Sequence, residues 1–245
     1  MFDAIRQREF GLGDIIKTSF MVYGKQIKSI LLITLIMLIP INAMSYFCEE
    51  YLIYQQSTPP EQSIVIGLAL ISLGIFMIFI GIAWKNIILL LVEKAVDGEN
   101  AKLKVKSILK IGFFRVGSCI FAIYLGMFIC FGLSFLLIIP GIVWMLYYVF
   151  VQQAVVLRGV NSEKALVYSK SLVKGRWWRT FGKLLVIGLI YLVLCIGLVL
   201  IGKYFPSNVN IILKSLISIV EVFLHIFVTI MFLNIDYIIN KMPEV

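Results

Sequence analysis

Six long apolar runs alternate with polar segments along this chain, and the alternation predicts its architecture. The first run covers about Ser29 to Phe47, with Pro40 inside it as a candidate kink. The second extends from about Ile64 to Val92, longer than a bilayer requires, so it tilts or projects. Two runs share Val116 to Leu157, the fifth covers about Thr180 to Ile201, and the sixth about Ile211 to Ile235. Each approaches the ~20 residues that cross a hydrocarbon core of ~30 Å. The 42 residues from Val116 to Leu157 just suffice for two crossings at ~1.5 Å per residue. Pro140-Gly141 then falls in a tight outer turn, or at the tip of a re-entrant pair. The chain reads as all-α: one polytopic membrane domain, residues 1–245, with six transmembrane helices in three hairpins, 29–92, 116–157 and 180–236.

The connectors carry a second pattern, apolar positions at helical spacing on otherwise basic segments. In residues 1–28, Ile15, Ile16, Phe20, Val22 and Tyr23 predict an interfacial helix from about Gly13 to Tyr23. The connector 93–115 has a turn signal at Asp97-Gly98 and a candidate surface helix from Lys104 to Phe114. In residues 158–179, Asn161 or Ser162 is a good N-cap for a helix from Glu163 to Lys174. Ala165, Leu166, Ser169, Leu172 and Val173 give that helix one apolar stripe. Gly67, Gly74 and Gly81 recur by sevens in the second run, a face on which another helix can approach closely.

Composition sharpens the class. The chain is 61% hydrophobic, with a mean hydropathy of +1.02, against ~45–50% apolar residues in soluble domains. Its net charge of +9 is unevenly placed. Residues 1–28, 93–115 and 158–183 hold 5, 6 and 7 basic residues, whereas 48–63 holds none and carries Glu49, Glu50 and Glu61. Cytoplasmic loops collect lysine and arginine, so both termini are expected in the cytoplasm. Because these residues flank the spans, they suit anionic headgroups of the cytoplasmic leaflet rather than nucleic acid. Residues 1–28 are long, polar and amphipathic and no small-residue cleavage site follows the first apolar run, so that run is expected to remain as a span. Cys48, Cys119, Cys130 and Cys195 lie in or beside apolar runs without a C-x-x-C pair, which predicts buried thiols rather than a disulfide framework or zinc site.

Two constellations carry candidate chemistry. On the sixth run, Lys214, Ser218, Glu221, His225, Thr229 and Asp236 fall within about 80° of one another at helical geometry. A lone charge at mid-bilayer costs roughly 2.5–3.5 kcal/mol, so this stripe faces protein or a polar cavity. One reading is a structural seam, with Glu221 bonded to His225 and paired with Lys85 of the second run. The other is a binding or proton-transfer site. The second constellation is Lys174, Arg176, Trp177, Trp178 and Arg179, where indoles suit the headgroup belt and arginines suit phosphate. It reads either as a topological anchor or as an anionic-headgroup site. No G-x-S-x-G, H-E-x-x-H or P-loop motif occurs, so no catalytic residue, metal ligand or cofactor is expected.

Residues 24–29, GKQIKS, align with residues 175–180, GRWWRT, each following an amphipathic stretch and preceding a span; with the connector before Val116 they suggest three repeated units. The sequence Ile139-Pro140-Gly141-Ile142, then Val155-Val156-Leu157, Ala165-Leu166, Ser169-Lys170-Ser171-Leu172 and Lys174-Gly175-Arg176-Trp177-Trp178, resembles the membrane domain of glycerophosphoryl diester phosphodiesterases and related bacterial membrane proteins. The resemblance is sharpest over residues 136–185. It implies a six-helix domain with amphipathic connectors in a bacterial cytoplasmic membrane. It does not imply the phosphodiesterase activity, which resides in a separate soluble barrel, and the chain departs from the pattern at Arg158-Gly159, where many members carry an acid before the glycine. The expected function is a non-catalytic binding or accessory protein that engages lipid, a membrane-active peptide in an immunity-like role, or a membrane complex. The alternative is a small transporter or transporter subunit with a polar path along the sixth helix.

Overall fold

A computed structural model describes the backbone of residues 3–54, 60–97, 105–136, 138–202, 204 and 207–241, and side chains within 4–36, 64–97, 106–134, 139–202, 204 and 216–240. Among these residues the fold is all helical. A 3-10 turn at Asp3–Arg6 precedes α1 (Leu12–Tyr54), α2 (Pro60–Asp97), α3 (Val105–Phe114), α4 (Val116–Leu136), α5 (Ile138–Tyr147), α6 (Val151–Arg158), α7 (Ser162–Val173), α8 (Trp177–Gly202) and α9 (Ser207–Lys241). Among the described residues six stretches are long and apolar enough to cross a membrane: Leu12–Ile36, Ile64–Asp97, Val116–Ser134, Ile139–Arg158, Trp177–Gly202 and Leu216–Asn240.

The core occupies one end of the bundle. It gathers Ile87 to Val92 of α2, Phe150 to Val156 at α6, and Ile226 to Leu233 of α9, with Ile5, Phe10 and Ile15 closing the side. Toward the other end packing thins: Ile64, Leu68, Ile71 and Ile75 of α2 and Leu189, Val193 and Ile196 of α8 are exposed. These apolar surfaces fit a lipid environment and leave α8 held chiefly by α9.

Four expectations are revised. The separate surface helix at 13–23 is instead the start of the 43-residue α1. Nothing between Tyr23 and Ser29 stops it, since Gly24 costs a helix only ~1 kcal/mol, and buried Ile15, Val22 and Ile30 continue one face. Second, Pro140-Gly141 is not the turn after α4 but lies in the first turn of α5. Proline is tolerated there because that turn's N–H has no intrahelical acceptor. Gly141 lets α5 lie against α4, since an added Cβ would overlap Ser134 and come within 3.0 Å of its Cα. Third, the fourth span is broken, with turns at Tyr148–Phe150 between α5 and α6. Fourth, Gly81 is no close-approach point, because a Cβ there would meet nothing within 4 Å.

The 160s helix forms as predicted, Ser162–Val173, and buries Ala165, Leu166, Ser169, Leu172 and Val173. That stripe packs on α4, α5, α6 and α9 rather than facing outward. Ser169 explains the break it covers. Its hydroxyl donates to the Tyr147 carbonyl at 2.7 Å and accepts from the Phe150 N–H at 3.1 Å. Two backbone groups freed by the broken helix are thereby satisfied, as burial requires.

Candidate functional site

The polar residues of α9 separate into two levels rather than one continuous stripe. At the first, where close packing ends, Lys85 Nζ lies 3.1 Å from Glu221 Oε1, with a third of each side chain exposed. His225 Nε2 stands 3.6 Å from the same oxygen, one helical turn along. Lys85 reaches Glu221 from α2, so the site bridges the two helices at the edge of the core. Ser218 is one turn away on α9; the Lys214 side chain lies outside the described residues.

Thr229, the next member of the predicted stripe, is fully buried and donates to the His225 carbonyl at 2.7 Å. Around it Ile226, Phe227, Ile230, Met231, Phe232 and Leu233 are all inaccessible. Fifteen residues of helix, roughly 22 Å, therefore separate Glu221 from Asp236 with packed apolar side chains between them.

Asp236 anchors the second level. It is 1% exposed as a side chain and receives Arg158 through Nε at 2.8 Å and through Nη2. Arg158 Nη1 also reaches Glu93 Oε1 at 2.6 Å. One guanidinium thus faces two carboxylates, and further donors complete the balance. Asn240 donates to Asp236 Oδ1 at 3.1 Å, as does the Tyr168 hydroxyl. Burial first, and this donation second, hold the Tyr168 phenol above its ordinary pKa, so it remains a donor at neutral pH. Beside this network Asp97 accepts from Arg6 at 2.7 Å and from Tyr237 at 2.8 Å. The hydrogen bond to Asp97 raises the Arg6 pKa further above its ordinary value. A cleft of about 350 Å³ opens onto Arg6, Glu93, Asp97, Arg158, Asp236, Tyr237 and Asn240.

Local geometry fixes Arg158. Gly159 ends α6 with φ +67°, a left-handed conformation suited to glycine. A side chain there would also meet Arg115, whose Nη2 would lie 2.9 Å from the added Cβ. Arg115 in turn donates to the Val156 carbonyl. The chain turns sharply after Arg158, leaving its guanidinium between α2 and α9.

The basic tryptophan-bearing turn finds partners within the chain. Glu9, just before α1, lies 2.9 Å from Arg179 Nη1, 3.8 Å from Arg176 Nε and 3.9 Å from Lys183 Nζ. Trp177 turns inward and stacks on Phe181, with centroids 5.2 Å apart. Trp178 points out and is 77% exposed; Lys174 is also exposed. The five predicted residues therefore divide: Trp177 packs, Arg176 and Arg179 pair with Glu9, and Lys174 and Trp178 face outward.

Arg158, Glu93, Tyr168, Glu9 and Asn234 did not emerge as site residues from the sequence. Arg158 had a visible signal, a departure from the resembled pattern, but its partners lie 65 and 78 residues away. Asn234 reads as an ordinary polar residue near a span end, yet its amide donates to Ile5 and Arg8 carbonyls at 2.8 and 2.9 Å and accepts from the Phe10 N–H at 2.8 Å. Among the described residues no three His, Cys, Asp or Glu side chains gather as a metal site.

A family model, the domain of unknown function DUF7847, matches residues 103–235. Comparison with curated proteins and with solved structures finds no match.

Proposed function

The chain belongs to the DUF7847 family, and from the geometry of its helices we propose that it is a non-catalytic membrane binding protein whose ligand engages the Lys85–Glu221–His225 level. The carrying observation is the one-third exposure of both partners of this ion pair where the core gives way. Charges at this depth are costly beside acyl chains. A bound polar or cationic group would cover them, and an amphipathic, membrane-active peptide offers both the charge and the apolar surface to lie against the exposed apolar faces nearby. Lipids of the surrounding bilayer are the competing occupants.

In this reading the six long helices cross a bacterial cytoplasmic membrane with both termini inside. The Arg158 level then lies at the cytoplasmic surface, consistent with the basic connectors nearby. The likeness to phosphodiesterase membrane domains supplies the six-helix plan and no chemistry. A transporter would need a polar route between the two levels; the packed segment Ile226 to Leu233 favours binding over conduction.

The test is ligand retention. Protein purified under mild conditions should carry bound peptide or lipid detectable by mass spectrometry, and Glu221→Gln should lose it while folding normally. Unchanged retention by Glu221→Gln, or substrate-dependent flux in proteoliposomes, overturns the proposal.

A further inference from the structure

From the start of α8 we infer a second site: Arg176, Arg179 and Lys183 form a receptor for the phosphate of an anionic phospholipid headgroup, which Glu9 occupies as a tethered stand-in. Arg176 immediately precedes α8 and its carbonyl accepts from the Thr180 N–H, so at i, i+3 and i+7 it shares one face with Arg179 and Lys183 of the first two turns. The positive end of a helix dipole disfavours cations there unless an anion joins them. Among the described residues, one carboxylate, Glu9, serves the three cations. Only Arg179 meets it at hydrogen-bond distance, 2.9 Å, while Arg176 and Lys183 stand at 3.8 and 3.9 Å. The site is therefore both undercharged and incompletely bonded by its internal anion. A phosphodiester presents more acceptor oxygens in a geometry that guanidinium groups bind in pairs.

The approach is from the Arg179 side, since the Arg176 and Lys183 side chains are only 24% and 13% exposed. The Arg179 side chain is 72% exposed, and Trp178 projects beside it, as an indole does at the level of lipid headgroups. Glu9 belongs to a non-helical strap whose Phe10 side chain is buried in the core, so a phosphate has to displace the Glu9 carboxylate and loosen the strap rather than unfold a helix. Residues 7–10 lie between the Asp3–Arg6 turn and α1, held by Asn234 and by Lys183 Nζ donating to the Phe10 carbonyl at 2.8 Å. Headgroup phosphate and Glu9 thus compete for the same three donors, which couples lipid composition to the position of the strap. This inference needs the six helices to lie in a bilayer but does not depend on the Glu221 site. A chain that fails to enter bilayers is detected separately, as failure to incorporate into nanodiscs.

The experiment compares wild type, Glu9→Gln and Arg176→Gln/Arg179→Gln in phosphatidylcholine nanodiscs with and without phosphatidylglycerol. Retained phosphatidylglycerol is counted by native mass spectrometry. Glu9→Gln should raise retention roughly three- to five-fold, as expected for removing one exposed competing ion pair, and the double variant should abolish the preference. Hydrogen exchange of wild type supplies a readout that no variant can confound. Phosphatidylglycerol should speed exchange at residues 5–12, whereas inorganic phosphate should neither do so nor displace the lipid. Displacement by inorganic phosphate rejects the lipid as source. Equal retention by Glu9→Gln and wild type, or exchange at residues 5–12 indifferent to phosphatidylglycerol, overturns the inference.

Discussion

Arg158 and Asp236 are 78 residues apart in sequence and meet through two guanidinium nitrogens, with Glu93 on the remaining one. The cluster joins α2, α6 and α9, and Tyr168 ties α7 to it. Its value depends on completeness. An ion pair removed from water recovers the desolvation cost only when every lone pair and proton finds a partner. Here Asp236 accepts from Arg158, Tyr168 and Asn240, which meets that condition for this carboxylate.

Removing the cation alone should therefore do more harm than removing the whole cluster. Arg158→Met leaves Asp236 and Glu93 without a cation, with only the neutral donors Tyr168 and Asn240 on Asp236, a loss of about 3–5 kcal/mol for a broken buried pair. The triple variant Arg158→Met/Glu93→Gln/Asp236→Asn should recover most of it. Thermal unfolding in detergent checks the order: the single variant should melt well below the triple. Equal melting would mean that the cluster's charges are already screened by solvent.

Ser169 offers a sharper test of local architecture. Its hydroxyl bridges the Tyr147 carbonyl and the Phe150 N–H across the α5–α6 break. Ser169→Ala removes both bonds with little change in volume. Each buried backbone group left unpaired costs about 1–3 kcal/mol. Hydrogen exchange at Phe150 should accelerate while α4 and α9 keep their protection. Ser169→Thr retains the hydroxyl and should preserve protection if the added methyl group fits.

Asn234 makes a comparable clasp at the N-terminus. Its three hydrogen bonds hold Ile5, Arg8 and Phe10 against α9. Asn234→Leu should loosen the strap, which Ile5 and Phe10 still pin to the core, and leave the bundle intact, because Phe232, Leu233 and Ile235 still pack. Limited trypsin digestion checks this: Arg6 and Arg8 should become cleavable in the variant before any site in α7 or α8.

These contacts mark what the sequence could and could not reveal. Apolar period and length foretold α3, the 160s helix and its five-residue buried stripe, because those features are local. The same period misread α1 as two helices, since a lone Gly24 and two lysines interrupt hydropathy without interrupting backbone hydrogen bonding. It also joined Glu221 and Asp236 into one stripe. A helical wheel gives azimuth but not which neighbour packs at each level, and α2 and α6 supply different partners to the two acids. Glu9 lay beyond reach for the same reason: its partners follow 167 to 174 residues later, and nothing local marks a carboxylate that closes across a bundle. Pro140 misled because proline signals both turns and first helical turns, and only the backbone after Leu136 decides between them.

Lys85 and Glu221 allow the proposed binding level to be separated from a structural seam. If their 3.1 Å contact serves packing alone, exchanging the charges should restore whatever either single change removes. Lys85→Glu places two carboxylates beside each other, and Glu221→Lys two ammonium groups; each should lower the melting temperature. The exchanged pair, Lys85→Glu/Glu221→Lys, regains attraction, although His225 now stands near an ammonium group rather than a carboxylate. A double-mutant cycle isolates the coupling, expected at about 0.5–3 kcal/mol for residues in contact. Ligand retention should respond differently. A ligand that reads Glu221 on α9 sees the charge reversed and displaced to α2 in the exchanged pair, so stability should return while retention stays lost. Recovery of both would assign the pair to the scaffold and leave the exposed apolar faces of α2 and α8 to lipid alone.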